Sequence, residues 1–199
     1  MVGISPYKPF TKELFMKFTN LLLSAAVLPF ALSAAELEVD KAHSEVQFSV
    51  SHMVVSRTKG EFNEFDAKVV VEDDKLISVN ATLPVSSIDT DNKKRDDHLK
   101  SADFFNVEKF PEITFESTKI EGDKLTGNLT IMGTTKEVVM ELAFLGPVTN
   151  PWGKVVYGLN LEGEIDRTAF GLTWNKAIET GGVLVGEDVK ITISVELMK

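Results

Sequence analysis

Val189-Lys-Ile-Thr-Ile-Ser-Val-Glu-Leu197 alternates apolar and polar residues without interruption. Successive side chains of an extended chain point to opposite faces, so Val189, Ile191, Ile193, Val195 and Leu197 share one side. Lys190, Thr192, Ser194 and Glu196 share the other. A helix would scatter these five apolar residues around its circumference. The stretch reads as a strand with one buried and one wetted face.

Working outward, the same pattern recurs in seven more places. Val46, Phe48, Val50 and His52 form one apolar row, followed by a break at Lys59-Gly60. The next rows are Phe65-Ala67-Val69-Val71 and Ile77-Val79-Ala81-Leu83-Val85. After these come Ile113-Phe115-Ser117, Leu125-Gly127-Leu129-Ile131 and Val138-Met140-Leu142-Phe144. Val155-Tyr157-Leu159-Leu161-Gly163-Ile165 precedes an irregular, glycine-bearing loop from Thr168 to Asp188. Parallel sheets would show continuous apolar runs and crossover helices, and neither is present. Eight strands, each apolar on one side and joined mostly by short turns, predict an all-β, eight-stranded antiparallel barrel. A two-layer sandwich is the competing arrangement. A barrel of this size is filled by its own side chains or holds one small ligand, and periodicity does not decide between the two.

One segment breaks the alternation, between the third and fourth strands: Ser87 to Pro111. Its charged run predicts a short helical insertion over Lys93 to about Lys100, capped by Asn92. Leu99, Phe104, Phe105 and Phe110 are placed to cover one end of the barrel as plug or gate, with Arg95 and neighbouring carboxylates in the outer layer.

The 199 residues, 43% hydrophobic and 26% charged, make one domain preceded by a leader. Met16 and Lys17 start an uncharged run that ends in Ser33-Ala34-Ala35, the form of a cleaved secretory signal peptide over 16–35. Residues 1–15 read as an upstream extension and 36–199 as the barrel domain. Cleavage would remove Lys8, Lys12, Lys17 and Glu13, leaving a chain still more acidic than its formal charge of −9. That charge excludes a nucleic-acid footprint and docking on anionic lipid by charge alone. The absence of cysteine removes disulfides, thiol catalysis and thiolate metal sites.

The three histidines match no zinc spacing, and no metal ligand set is expected. His52 shares the inward parity of Phe48 and Val50, with a hydrogen-bonded core role or a ligand contact as its alternatives. Arg167 falls on the parity of Leu159, Leu161 and Ile165. Its alternatives are a ligand's phosphate group or an ion pair with Asp89, Asp96 or Asp97. Arg95 is expected in such a pair. No nucleophile elbow, histidine-centred triad or phosphate loop accompanies the carboxylates, and no enzyme is predicted. By strand parity, the residues expected to line a cavity are Phe48, Val50, His52, Phe65, Val69, Val79, Ala81, Leu129, Ile131, Met140, Leu142, Leu159, Leu161, Arg167, Ile191 and Ile193.

An ordered series of motifs resembles the YceI-like, polyisoprenoid-binding proteins from about Glu36 to Lys199. It runs through Asp40-Lys-Ala-His-Ser44, Val50-Ser-His52 and Lys59-Gly-Glu-Phe62. Ser87-Ile-Asp-Thr90, Arg95-Asp-Asp-His-Leu99, Ser101-Ala-Asp-Phe-Phe105 and Phe110-Pro111 continue it. Gly127 to Thr135 and Ile165-Asp-Arg-Thr-Ala-Phe-Gly171 complete it. The resemblance implies a lipocalin-like barrel, secreted to the periplasm, holding a polyprenyl phosphate, an isoprenoid quinone or another long-chain lipid. It implies no further cofactor and no catalytic residues. Transient membrane contact is compatible with such a carrier, and homodimerisation stays open. Two alternatives remain: an extracytoplasmic stress-related protein binding smaller amphiphiles such as fatty acids or amides, and a filled barrel with a structural role.

Overall fold

The computed structural model describes residues 34–178 and 181–199. The leader and the upstream extension lie outside these residues, except for Ala34 and Ala35. The strands are β1 (Ala35–His52), β2 (Ser56–Phe62), β3 (Asp66–Glu72), β4 (Lys75–Pro84) and β5 (Ile88–Asp89). After helix α1 (Lys93–Lys100) come β6 (Glu112–Glu121), β7 (Lys124–Ile131), β8 (Thr134–Thr149), β9 (Val155–Asp166) and β10 (Val185–Met198). All pairings among them are antiparallel. Eight strands close a barrel in the order β1-β3-β4-β6-β7-β8-β9-β10, with β10 returning to β1. Closure gives every one of the eight a neighbour on both sides, and the eight are the alternating segments read from the sequence.

The additional strands, β2 and β5, lie along the far half of β1. Lys59-Gly60 is not a break: Gly60 sits within β2, opposite Phe48. A β-carbon there would collide with the Phe48 ring and the Thr90 methyl. The strand lacks an apolar row because a cross-strand aromatic ring supplies its packing, an arrangement seen where aromatics cover glycine.

On this side β1 has two partners in succession. Ala35 to Leu37 pair with β3, and Gln47 to His52 pair with β2. The wall forks between them. Here β1 also carries a wide bulge, with residues 41–44 opposite Val195. Asp40 Oδ1 accepts from the Ala42 amide at 2.9 Å. The Ser44 hydroxyl donates to the Asp40 carbonyl at 2.6 Å and accepts from the Glu196 amide at 3.0 Å. From the bulge, Lys41 reaches across the fork to the Phe65 carbonyl and to Asp66.

The two barrel ends differ. The floor, near the 73–74, 122–123 and 150–153 turns, is packed by fully buried Leu125, Leu197 and Tyr157. The Tyr157 hydroxyl donates to Asp74 at 2.6 Å, and its ring stacks on Phe144 at 5.5 Å. The other end lies under α1 and the segment after Arg167. Asn92 caps α1 by accepting from the Arg95 amide at 3.1 Å. At its far end, the Ser101 hydroxyl donates to the His98 carbonyl at 2.7 Å.

Candidate ligand bore

The inward rows surround an apolar cavity of about 140 Å³. Its lining comes from all eight barrel strands, so the space is a thin bore and not a chamber. Phe48, Phe65, Val69, Val79, Ala81, Leu129, Ile131, Met140, Leu159, Leu161, Arg167, Ile191 and Ile193 line it. Three parity assignments fall elsewhere. Leu142 is buried in the floor packing, one step below Met140. Val50 and His52 point inward as their parity requires. However, that part of β1 lies beyond the barrel rim, and they face a second cavity under α1.

Several lining residues escaped the sequence-based set. Val46, Ala67, Leu83, Ile113, Phe115, Ile165, Val189 and Val195 share the correct parity and were legible. Phe62 and Leu172 come from segments with no periodic signal.

The second cavity, about 190 Å³, is lined by Phe48, Val50, His52, Arg95, His98, Leu99, Phe104, Trp174 and Leu184, among others. His98, Phe104 and Trp174 form a mutual cluster with ring centroids 4.9 to 5.1 Å apart, within the range of favourable aromatic pairs. The insertion therefore roofs a chamber and does not plug the bore. Phe48 lines both spaces and divides them. Joined, they would fall at the low end of the roughly 300–1,000 Å³ of ligand pockets.

Arg167 is the charged group of the bore, and it does not form the ion pair with Asp89, Asp96 or Asp97 that is one of its two sequence-based alternatives. It is 4% exposed. Nε donates to the Gly186 carbonyl at 2.7 Å, Nη1 to the Leu172 and Trp174 carbonyls, and Nη2 to the Val185 carbonyl at 3.3 Å. The side chain thus ties together the irregular segment that follows it. Among the described residues no carboxylate forms an ion pair with it. Burial pulls its pKa below the ordinary guanidinium value, while Glu187 and Asp166 favour the charge from longer range. A guanidinium carries five N–H groups, so one remains for another acceptor. Arg95 likewise binds Thr90 and not a carboxylate, with Nε on the hydroxyl at 2.7 Å and Nη2 on the carbonyl at 2.6 Å. Asp96 accepts from the Thr90 amide at 3.0 Å.

The bulge brings Asp40, His43 and Glu196 together, with their potential ligand atoms within 4.8 Å of one another. Linear spacing could not show this. His43 Nδ1 is already held by Asp40 Oδ2 at 2.9 Å, and the histidine is mostly exposed. The hydrogen bond within this pair, aided by the attraction of their charges, raises the His43 pKa and lowers that of Asp40.

A closed eight-stranded antiparallel barrel with one short helix and an apolar bore defines the class: a YceI-like fold. The YceI-like domain model matches residues 37–197, and the chain belongs to that family. It is similar to the UPF0312 proteins SA2479 and SAV2687 of Staphylococcus aureus. Each is 42% identical over 160 residues, spanning 79% of this chain and 94% of the relative. Among solved structures it resembles a Campylobacter jejuni YceI protein, with 31% identity, TM-score 0.66 and 83% and 98% of the two chains covered. It also resembles Burkholderia cenocepacia BcnA, with 26% identity, TM-score 0.67 and 80% and 99% covered. A polyisoprenoid-binding domain from Saccharophagus degradans shares the fold, at 10% identity and TM-score 0.57, with 84% and 98% covered.

Proposed function

We propose that this chain is an exported, periplasmic carrier holding one long apolar molecule in its bore, an isoprenoid such as a polyprenyl phosphate or a quinone. The observation that carries the reading is the bore itself. It is threaded among side chains from every barrel strand, and its polar lining residues are Gln47 and the carbonyl-bound Arg167. Such a lining suits hydrocarbon and offers no paired nucleophile and base. The spare Arg167 donor suits an acidic or carbonyl head group. The leader pattern supports export, and the Saccharophagus domain supports the ligand class at the level of fold.

Burial of hydrocarbon stabilises by about 0.8 kcal/mol per methylene. Even at the leaner ~0.3 kcal/mol per heavy atom of larger ligands, a forty-carbon tail reaches on the order of 12 kcal/mol. A membrane solvates the same tail equally well, so transfer is close to balanced. The small cavity volume favours a second reading, in which the occupant is a shorter amphiphile such as a fatty acid or an amide. A long chain requires Phe48 to swing aside so that bore and chamber join, and the bore to widen beyond its present volume.

Native mass spectrometry with organic extraction tests the proposal on protein from a quinone-making host. Prenyl lipid is expected in the wild type, and its loss in Ala81→Trp, which blocks the bore. Protein that is always empty, and takes up no offered prenyl lipid, would refute the carrier reading. Preferential uptake of fatty acids would favour the shorter ligand.

A further inference from the structure

The hairpin joining β1 to β2 turns on residues 53–55, at the end of the molecule where the second cavity lies. Met53 and Val54 both have positive φ, +50° and +65°, and the Val55 amide donates to the His52 carbonyl at 3.2 Å. Two central residues with positive φ make a type I′ turn, which favours Asn-Gly or Asp-Gly. The β3–β4 hairpin makes its equivalent turn with Asp73-Asp74, and the β7–β8 hairpin with Met132-Gly133. Among the described residues, only the β1–β2 turn puts a β-branched residue in the left-handed region, where such residues are true outliers. Strain retained at a surface tip points to a use for the side chains that cause it.

Those side chains face solvent. Val54 is 79% exposed and Val55 82%, with Met53 and the adjacent Val183 about half as exposed. The Met53 amide bonds the Leu184 carbonyl, joining the tip to the neighbouring segment. Charge is unevenly placed as well. In a chain of net −9, residues 51–60 contain Arg57, Lys59 and His52 and no acidic residue. An apolar tip with basic flanks is the pattern of an interfacial membrane contact. The inner face of the same hairpin lines the second cavity through Val50, His52 and Thr58. The tip is thus continuous with the route from the bore past Phe48.

We infer that Met53, Val54 and Val55 form a membrane-docking tip, which seats the cavity under α1 on an anionic bilayer surface for lipid entry and release. This inference rests on the carrier reading above. The occupant is a lipid surface and not a protein groove, because the exposed apolar residues sit at the tip of a hairpin whose own residues 51–60 carry basic and no acidic side chains. The nearest carboxylates, Glu187 and Asp188, lie back on β10 opposite Ser51.

The test is flotation of residues 34–199, which contain the whole barrel, with vesicles of phosphatidylethanolamine and phosphatidylglycerol. Wild type is expected to float, and Val54→Glu with Val55→Glu to bind roughly tenfold more weakly or worse. Met53→Asn with Val54→Gly supplies favoured turn residues, so it should fold at least as well and still lose vesicle binding. Trp152→Ser, in the exposed turn at the floor, should change nothing. Failure of wild type to float, or flotation that survives Met53→Asn with Val54→Gly, would overturn the inference. A soluble protein partner captured by the tip in place of vesicles would also overturn it. Loading of a prenyl alcohol from detergent, read on the same samples, separates the two readings. Protein that loads but does not dock removes the tip alone. Protein that docks but never loads keeps the tip and removes the carrier.

Discussion

The Phe48 ring lies against Gly60, its partner across β1 and β2, at the point where the bore meets the cavity under α1. A side chain at position 60 and the ring of Phe48 cannot occupy the same space. Gly60→Val is therefore expected to displace the ring and cost about 1–3 kcal/mol, the range for overpacking. Urea unfolding measures the loss, and an unchanged midpoint would contradict the contact.

Removing Phe48 separates division of the cavities from packing. Phe48→Ala should join bore and chamber, raise the exchange rate of a bound lipid, and cost somewhat less than the roughly 3–5 kcal/mol of a fully buried phenylalanine. Stopped-flow displacement of a fluorescent acyl chain reads the rate. Slower exchange in the variant would show that the ring does not stand in the path.

Arg167→Lys keeps the charge and loses the planar fork that reaches four carbonyls. Unsatisfied buried acceptors cost about 1–3 kcal/mol each before relaxation, and Arg-to-Lys exchange at such a site is not conservative. A loss of at least about 2 kcal/mol is expected, with faster amide exchange confined to the segment after Phe170. Uniform protection across that segment would count against the role.

At the floor, Tyr157→Phe should cost about 1.5–3 kcal/mol, because its hydroxyl bonds an aspartate oxygen. That bond and burial push the Tyr157 pKa up to about 12. A phenol harder to ionise in the fold than in the unfolded chain adds stability below its ordinary value of 10. The contribution is lost as pH rises from 10 toward 12. The wild-type advantage over Tyr157→Phe should shrink across that window in alkaline melts.

The pair on the bulge loses its contribution at both ends of the pH range. His43 has its pKa raised above 6.5 by the bond to Asp40, so its contribution is complete below 6.5 and fades as pH climbs through the folded value. Asp40 is held below 3.8 chiefly by His43, and its contribution fades as pH falls through that lowered value. The energies are small because the pair is exposed. An NMR titration of the His43 ring should give a midpoint above 6.5, and one at or below 6.5 would refute the bond.

Much of this fold could be read from side-chain alternation. Eight rows predicted eight barrel strands, and Asn92 marked the start of α1, because both signals are local. Arg167 shows where local reading stops. Its parity placed it in the bore, but its partners are backbone carbonyls of a segment with no period. Thr58 and Gly60 disguised β2, since the apolar matter on its inner face belongs to Phe48. Val50 and His52 had the right parity and the wrong cavity, because parity says which face and not how far along the barrel. The Asp40, His43 and Glu196 cluster depends on a bulge and a cross-strand register, neither of which is written in spacing along the chain.

The fork in the wall beside β1 bears on what the barrel can hold. A fully laddered cylinder has its girth fixed by strand number and stagger. Here the ladder on one edge of β1 lapses between Leu37 and Gln47, and Lys41, Phe62 and Phe65 stand at the gap. Side-chain packing and a single lysine set the circumference along this line. On the carrier reading proposed above, this is the line along which calibre would change by repacking two rings, with no strand pair broken, and guests of different cross-section would share one wall.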